Sequence, residues 1–260
     1  MRRTGLLVQV GVLARRSVVR TLRQPAMVVP SLVFPLILLS INASGLESAT
    51  HLPGFPTDSY FQFALAIPFV QGALFSANSA GTNVANDIES GFLNRLALTP
   101  LRRVALMMGQ LAGIVALGLI QAVTFVLVGV AFGEGIAAGV GGALVIVTLS
   151  LVISLGFGCI GAFVALRSGS GEAVQGVFPL FFAALFLSSM SLPRDLIESD
   201  WFQTVATWNP VSYMLEGIRS LVIEGWNGEA LALGFACAGG LALIALVAAS
   251  SALRTRMVRT

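Results

Sequence analysis

The sequence predicts an all-α integral membrane protein with six transmembrane helices, and three observations predict it. Hydrophobic residues make up 56% of the 260-residue chain and charged residues only 10%, far below the roughly 25% charge of an average soluble domain. The charges are also segregated, with long uncharged stretches separated by short segments that hold nearly every Arg, Asp and Glu. A charge at the bilayer centre costs on the order of 3 kcal/mol or more, and segregation is the consequence. Third, alternate segments differ sharply in their arginine content.

Residues 1–25 come first. Leu6, Leu7, Val10, Leu13, Ala14 and Val18 recur at helical spacing, with arginines clustered towards the C-terminal half. This is the pattern of an amphipathic helix in the membrane interface, its arginines reaching anionic headgroups; a plain orientation signal is the simpler alternative. Arg15, Arg16, Arg20 and Arg23 interrupt any early apolar run, so the first span is expected to be an uncleaved anchor. Spans need about 20 residues to cross ~30 Å. They are expected at 27–41, which contains Pro30 and Pro35, at 61–80, at 104–133 and 135–166 as a hairpin, at 173–192, and at 230–253. Placing the N-terminus inside puts Arg2, Arg3, Arg15, Arg16, Arg20, Arg23, Arg95, Arg102, Arg103, Arg167, Arg254, Arg256 and Arg259 on the cytoplasmic side. Only Arg194 and Arg219 fall outside. The positive-inside bias therefore predicts both termini in the cytoplasm. A pI near 9.5 then points to the inner leaflet and not to nucleic acid. Cys159 and Cys237 lie in apolar spans and read as small packing residues.

Two further segments are not spans. In the cytoplasmic loop 81–103, Asn86 followed by Glu89 has the spacing of a capping box. Ile88, Phe92, Leu93 and Leu96 then form an apolar stripe that Thr99-Pro100 ends. A helix of about three turns, tethered at both ends, suits docking into a groove of a cytoplasmic partner. In the outer segment 193–229, Asn209 can cap a helix with Pro210 at its first position. Val211, Met214, Leu215, Ile218 and Val222 line one face of some fourteen residues, too short to cross and so re-entrant. Trp201, Trp208, Tyr213 and Trp226 fit an interfacial belt.

These segments resemble the permease subunits of ABC-2 type transporters, particularly the daunorubicin-resistance-like export permeases. After the second span, the stretch from Asp87 to Pro100 carries Glu89, Gly91, Leu96 and Pro100 where that family has an acidic-x-Glu-x-Gly motif with a following Leu and Pro. Ile88, Phe92 and Asn94 depart from it. Asn209-Pro210 with Arg219 nine residues after the proline matches a second family feature. The resemblance implies a single transmembrane domain over 1–260 in a bacterial cytoplasmic membrane, acting in efflux, including antibiotic resistance. It implies a homo- or heterodimer of permeases on two copies of an ATPase subunit, which binds ATP and Mg²⁺. Asp87, Glu89, Gly91, Phe92, Leu96 and Pro100 would couple the chain to that ATPase. Asn209, Pro210, Glu216 and Arg219 would shape an outer gate.

Other classes fit less well. The sequence holds no Walker-type phosphate loop, so ATP hydrolysis is expected in another polypeptide. His51, the only histidine, sits in a Pro- and Gly-containing outer loop and reads as solvated, and no metal-ligand or catalytic arrangement accompanies it. Ion-driven carriers keep ionisable groups at midspan, and the spans here keep only uncharged polar residues. Of these, Gln71, Asn78, Gln110 and Gln121 either line a substrate path or hydrogen-bond between helices. Gly109 and Gly113 have the spacing of close helix packing. The uncharged interior favours an amphiphilic or hydrophobic cargo, drug or lipid, with a lipid-linked glycan as the alternative and a channel or ion-driven carrier behind it.

Overall fold

The computed structural model describes residues 5–97 and 102–259. Among these, all extended regular structure is helical. The first helix, α1 (Leu6–Leu22), turns at Arg23 into α2 (Pro25–Gly45). A short α3 (Tyr60–Ala64) is followed by α4 (Ile67–Glu89) and a six-residue α5 (Phe92–Ala97). The hairpin α6 (Arg103–Ala131) and α7 (Gly139–Ser168) precedes α8 (Gly171–Phe186). Then come α9 (Asp200–Trp208), α10 (Pro210–Ile223) and the long α11 (Gly228–Arg259). Among the described residues, five segments are long and apolar enough to cross a bilayer: 25–45, 60–89, 104–131, 139–168 and 228–257. These five fall where hydropathy places spans. The remaining span, expected at 173–192, ends early. At 16 residues, α8 is about 24 Å long, short of the ~30 Å hydrocarbon core.

The centre of the molecule is α4, most of whose residues are buried. It packs mainly on α7, and glycine makes that approach possible. A Cβ on Gly161 of α7 would lie 1.9 Å from the Ala77 carbonyl oxygen of α4. One on Gly81 of α4 would meet Val174 at 2.5 Å and the Gly161 carbonyl at 2.8 Å. α11 lies against α7, where a Cβ on Gly156 would meet Leu241 and Ala242, and its Ala238, Ala245, Ala249 and Ala252 are buried. By contrast, α2 buries only one face, Ser31, Pro35 and Leu39, and leaves Val29, Val33, Phe34, Ile37 and Ile41 exposed. Large apolar side chains facing outward are what a lipid-exposed helix requires.

The interfacial helix α1 lies along the first half of α6. Gly109 and Gly113 are the reason: a Cβ at Gly109 would sit 2.7 Å from that of Leu13, and one at Gly113 would sit 2.3 Å from the Ser17 hydroxyl. Their close packing is thus with α1. The face of α1 turned to the protein is Leu13, Ser17 and Thr21, whereas Leu7, Val8, Val12, Val19 and Leu22 are exposed. The apolar stripe expected to include Leu7 therefore divides between a protein-facing side and an outward side. Cys159 is buried and Cys237 half-buried, and both are free thiols. His51 ends a 3-10 turn and is exposed.

Candidate functional site

At the arginine-rich end, the loop expected to carry the coupling residues differs from its sequence reading in one respect. Asn86 caps no helix. α4 continues unbroken through Asn86 to Glu89, and the Asn86 carbonyl accepts the Ser90 N–H as the helix closes. The capping-box spacing of Asn86 and Glu89 falls inside the last turn of a long helix, where tertiary packing of the apolar face overrides the local signal. The break comes at Gly91, whose φ of +67° is in the left-handed region, readily adopted by glycine. α5 then starts at Phe92 and runs to Ala97, where the described residues break off. Pro100 lies outside the described residues.

Around this elbow the side chains are committed to other elements of the chain. Asp87 is only 3% exposed. Its carboxylate accepts two hydrogen bonds from Arg16, at 2.7 and 3.1 Å, and one from Arg20 at 2.7 Å. Arg20 also donates to the Asn83 carbonyl. The Arg16 guanidinium lies 3.9 Å from the centre of the Phe92 ring, within cation–π range. Asp87 and Phe92 thus hold α1 against the α4–α5 elbow, and Asp87 turns no carboxylate outward. Glu89 is exposed, and its carboxylate accepts the Gly171 N–H at 3.3 Å. That places a negative charge at the N-terminus of α8, where the helix dipole favours it. Leu93 is buried and Leu96 half-buried, both packed beneath the elbow with Leu13, Val84, Leu106 and Leu253.

At the opposite end, the expected outer-gate residues explain the early end of α8. Hydropathy runs past Phe186, but the chain leaves the helix there and its carbonyls need other donors. Asn209 supplies two of these bonds through Nδ2, to the carbonyls of Ala184 at 2.6 Å and Leu187 at 2.9 Å. Its Oδ1 accepts the Val211 N–H at 2.9 Å, capping α10, with Pro210 at the first helical position. Arg219 supplies the next. Its guanidinium donates to the carbonyls of Ser189, Met190 and Phe63, at 3.0, 3.0 and 3.1 Å. Phe63 lies just before the break between α3 and α4, so one arginine closes two interrupted helices. It is 6% exposed and also sits 3.6 Å from the Phe63 ring centre. Burial lowers its pKa to about 10 against the opposing pull of Glu216 and Tyr60, which leaves it protonated at neutral pH.

Glu216 pairs with Arg194 at 2.7 Å and accepts the Ser189 hydroxyl at 3.0 Å. Although desolvation works the other way, Glu216 and the Tyr213 hydroxyl hold the Arg194 guanidinium above its ordinary pKa. Arg194, Glu216 and Arg219, with Asp195, Glu224 and Asn227, line a cavity of 330 Å³. α10 has the fourteen residues expected. The additional helix α9 was not legible, because its Asp-Trp-Phe-Gln start carries no span-like hydropathy. Trp201, Trp208 and Trp226 are all exposed at this end.

The four polar residues of the spans do not form one surface. Gln121 accepts the Ser76 hydroxyl at 3.2 Å, bridging α6 to α4. The interhelical reading therefore applies to it. Gln71 is 1% exposed, and its Oε1 has no hydrogen-bond partner among the described residues; the same holds for Oδ1 of Asn78. Gln110 lines a small cavity with Ser17, Thr21, Ser79 and Asn83 between α1, α4 and α6.

A helix clamped to a helix elbow, spans that turn apolar side chains outward and a short capped helix closing the far end make this a polytopic membrane protein. A profile of the ABC-2 type transporter family matches residues 8–223, and the chain belongs to that family. It is similar to proteins named transport permease ycf38. That of Porphyra purpurea is 25% identical over 226 residues, covering 85% of this chain and 77% of the relative. That of Cyanophora paradoxa is 27% identical over 212 residues, covering 81% and 72%. The family is the membrane component of transport systems and normally works with an ATPase subunit.

Proposed function

We propose that this chain is the permease subunit of an ATP-driven exporter in a bacterial cytoplasmic membrane, moving an amphiphilic or hydrophobic substrate, a drug or a lipid, outward. Two copies of a separate cytoplasmic ATPase, with ATP and Mg²⁺, supply the energy, and the permease works as a homo- or heterodimer. The observation that carries the reading is the elbow at Gly91. It joins α5 directly to α4, the most buried span, so a push on α5 is delivered to the centre of the helix bundle. The clamp of Arg16 and Arg20 on Asp87 makes α1 move with the elbow, while Glu89 ties it to α8. Three elements are thereby linked to one point on the cytoplasmic face. The uncharged span interior supports an apolar cargo, because a charged one would meet no counter-charge at midspan.

The test is affinity purification of the chain from its native membranes in mild detergent, with and without prior crosslinking, followed by mass spectrometry. A near-stoichiometric protein with a Walker A motif is the expected result. A chain that purifies alone under both conditions overturns the ATP-driven assignment.

A further inference from the structure

The sides of α6 and α11 nearest each other touch little, because each helix is packed elsewhere. α6 gives its glycine face to α1, and α11 gives its alanine ridge to α7. What remains between them is a cleft of 410 Å³. One wall is Val104, Met107, Met108 and Leu111, spaced as one face of α6. The other is Leu246, Ser250, Leu253 and Arg254, spaced as one face of α11. The cleft extends over nine residues of α11, Leu246 to Arg254, about 12 Å from first to last, which confines it to less than half of a ~30 Å hydrocarbon core. It lies at the arginine-rich end, at the start of α6 and near the end of α11.

The chemistry of the walls is uneven. Seven of the eight residues are uncharged, six of them apolar, and the single charge, Arg254, stands at the mouth. No carboxylate lines the cleft, and Arg254 forms no ion pair among the described residues. Val104 and Met108 are 59% and 47% exposed, so the cleft opens to the side, towards the bilayer. Methionine walls adapt to a flexible chain. An apolar slot confined to one leaflet, with one cation at headgroup height, matches one molecule class.

We propose that the α6–α11 cleft is a binding site for an anionic phospholipid of the cytoplasmic leaflet, with one acyl chain in the slot and the headgroup phosphate on Arg254. The leaflet assignment rests on the cytoplasmic placement of the arginine-rich end. Met107 and Leu253 also line the small cavity beneath α5 and Asp87. The lipid therefore sits against the packing that seats the elbow, and its occupancy bears on how α5 moves.

The experiment uses the purified full-length protein in nanodiscs of symmetric lipid composition. It is independent of leaflet orientation and of any ATPase, so its failure leaves the proposed function standing. Phosphatidylglycerol carrying a diazirine in one acyl chain is photolysed and the crosslinked peptides are mapped. Labelling is expected to concentrate on 104–111 and 246–254. Unlabelled phosphatidylglycerol should compete about fivefold better than phosphatidylcholine, the worth of one arginine near an anionic surface. Arg254→Gln should equalise the two competitors while labelling persists. Ser250→Phe, which fills the slot, should suppress labelling there and leave it unchanged on the exposed face of α2. Uniform labelling of every outward helix face, equal competition by both lipids in the unmodified protein, or protein–protein crosslinks at these peptides in place of lipid would each overturn the proposal.

Discussion

Asp87, Arg16 and Arg20 show how burial decides which side of an ion pair matters. The carboxylate side chain is 5% exposed, but those of the arginines are 39% and 22% exposed. Removing the carboxylate strands two cations that can turn to water, whereas removing both arginines strands a buried anion. Asp87→Asn should therefore cost about 1 kcal/mol, and the double variant Arg16→Gln/Arg20→Gln about 3 kcal/mol. Thermal unfolding of the purified protein in detergent measures both, and equal losses would contradict the asymmetry. Arg219 presents the complementary case, a buried cation whose hydrogen bonds among the described residues all go to backbone carbonyls and none to a carboxylate. Arg219→Lys keeps the charge but not the planar fork, and no single ammonium reproduces three bonds aimed at two separate helix ends. The lysine variant should lose most of the stability that Arg219→Met loses, on the order of 3 kcal/mol, and the same unfolding assay compares them. A lysine variant as stable as the parent would mean that charge, and not the fork, holds the two breaks.

Among the elements, two glycines separate backbone freedom from close packing. Gly91 is left-handed, with open space around the Cβ position. Gly91→Ala should cost only about 1 kcal/mol of backbone strain, leaving expression intact. Gly161 is the opposite: its Cβ would overlap the Ala77 carbonyl, so Gly161→Ala must part α4 from α7. A sharp fall in folded protein is expected, read by size-exclusion profile after extraction, while Gly91→Ala runs as the parent does. The Glu89 carboxylate can be tested by charge. Glu89→Gln keeps an acceptor for Gly171 and should keep transport within about threefold, whereas Glu89→Arg puts a cation against a helix N-terminus and should uncouple transport at normal expression. These contrasts also mark how far the sequence carried. Span positions were legible because hydropathy is a local signal, and the α10 cap was legible because Asn-Pro is a local motif. The pairing of Asp87 with arginines 67 and 71 residues away has no periodicity to betray it. The early end of α8 was hidden for the same reason. The carbonyls of the chain just past its end are satisfied by residues 22 and more positions downstream, and apolar composition alone continued the span to 192.

For the whole molecule, the distribution of arginine makes an orientation argument that geometry can test. The elbow, α1 and the end of α11 share one end, and the tryptophans, Arg219 and the 330 Å³ cavity share the other. If the positive-inside bias sets the insertion, Ser90 faces the cytoplasm and Thr204 the outside. Both positions are exposed, and the native thiols lie within spans and can be replaced by alanine. In intact cells, a membrane-impermeant maleimide should label Thr204→Cys and reach Ser90→Cys only after permeabilisation. The opposite pattern would invert the molecule and remove the elbow from any cytoplasmic partner. Inside-out vesicles extend the test to coupling, because Ser90 sits between Glu89 and Gly91 on the surface proposed to meet the ATPase. Co-expression of the ATPase found by purification should slow Ser90→Cys labelling at least about fivefold while leaving Thr204→Cys, in opened vesicles, unchanged. Equal rates with and without the ATPase would leave the orientation intact but move the docking surface away from the elbow, since a subunit seated on α5 cannot leave its neighbouring turn open to solvent.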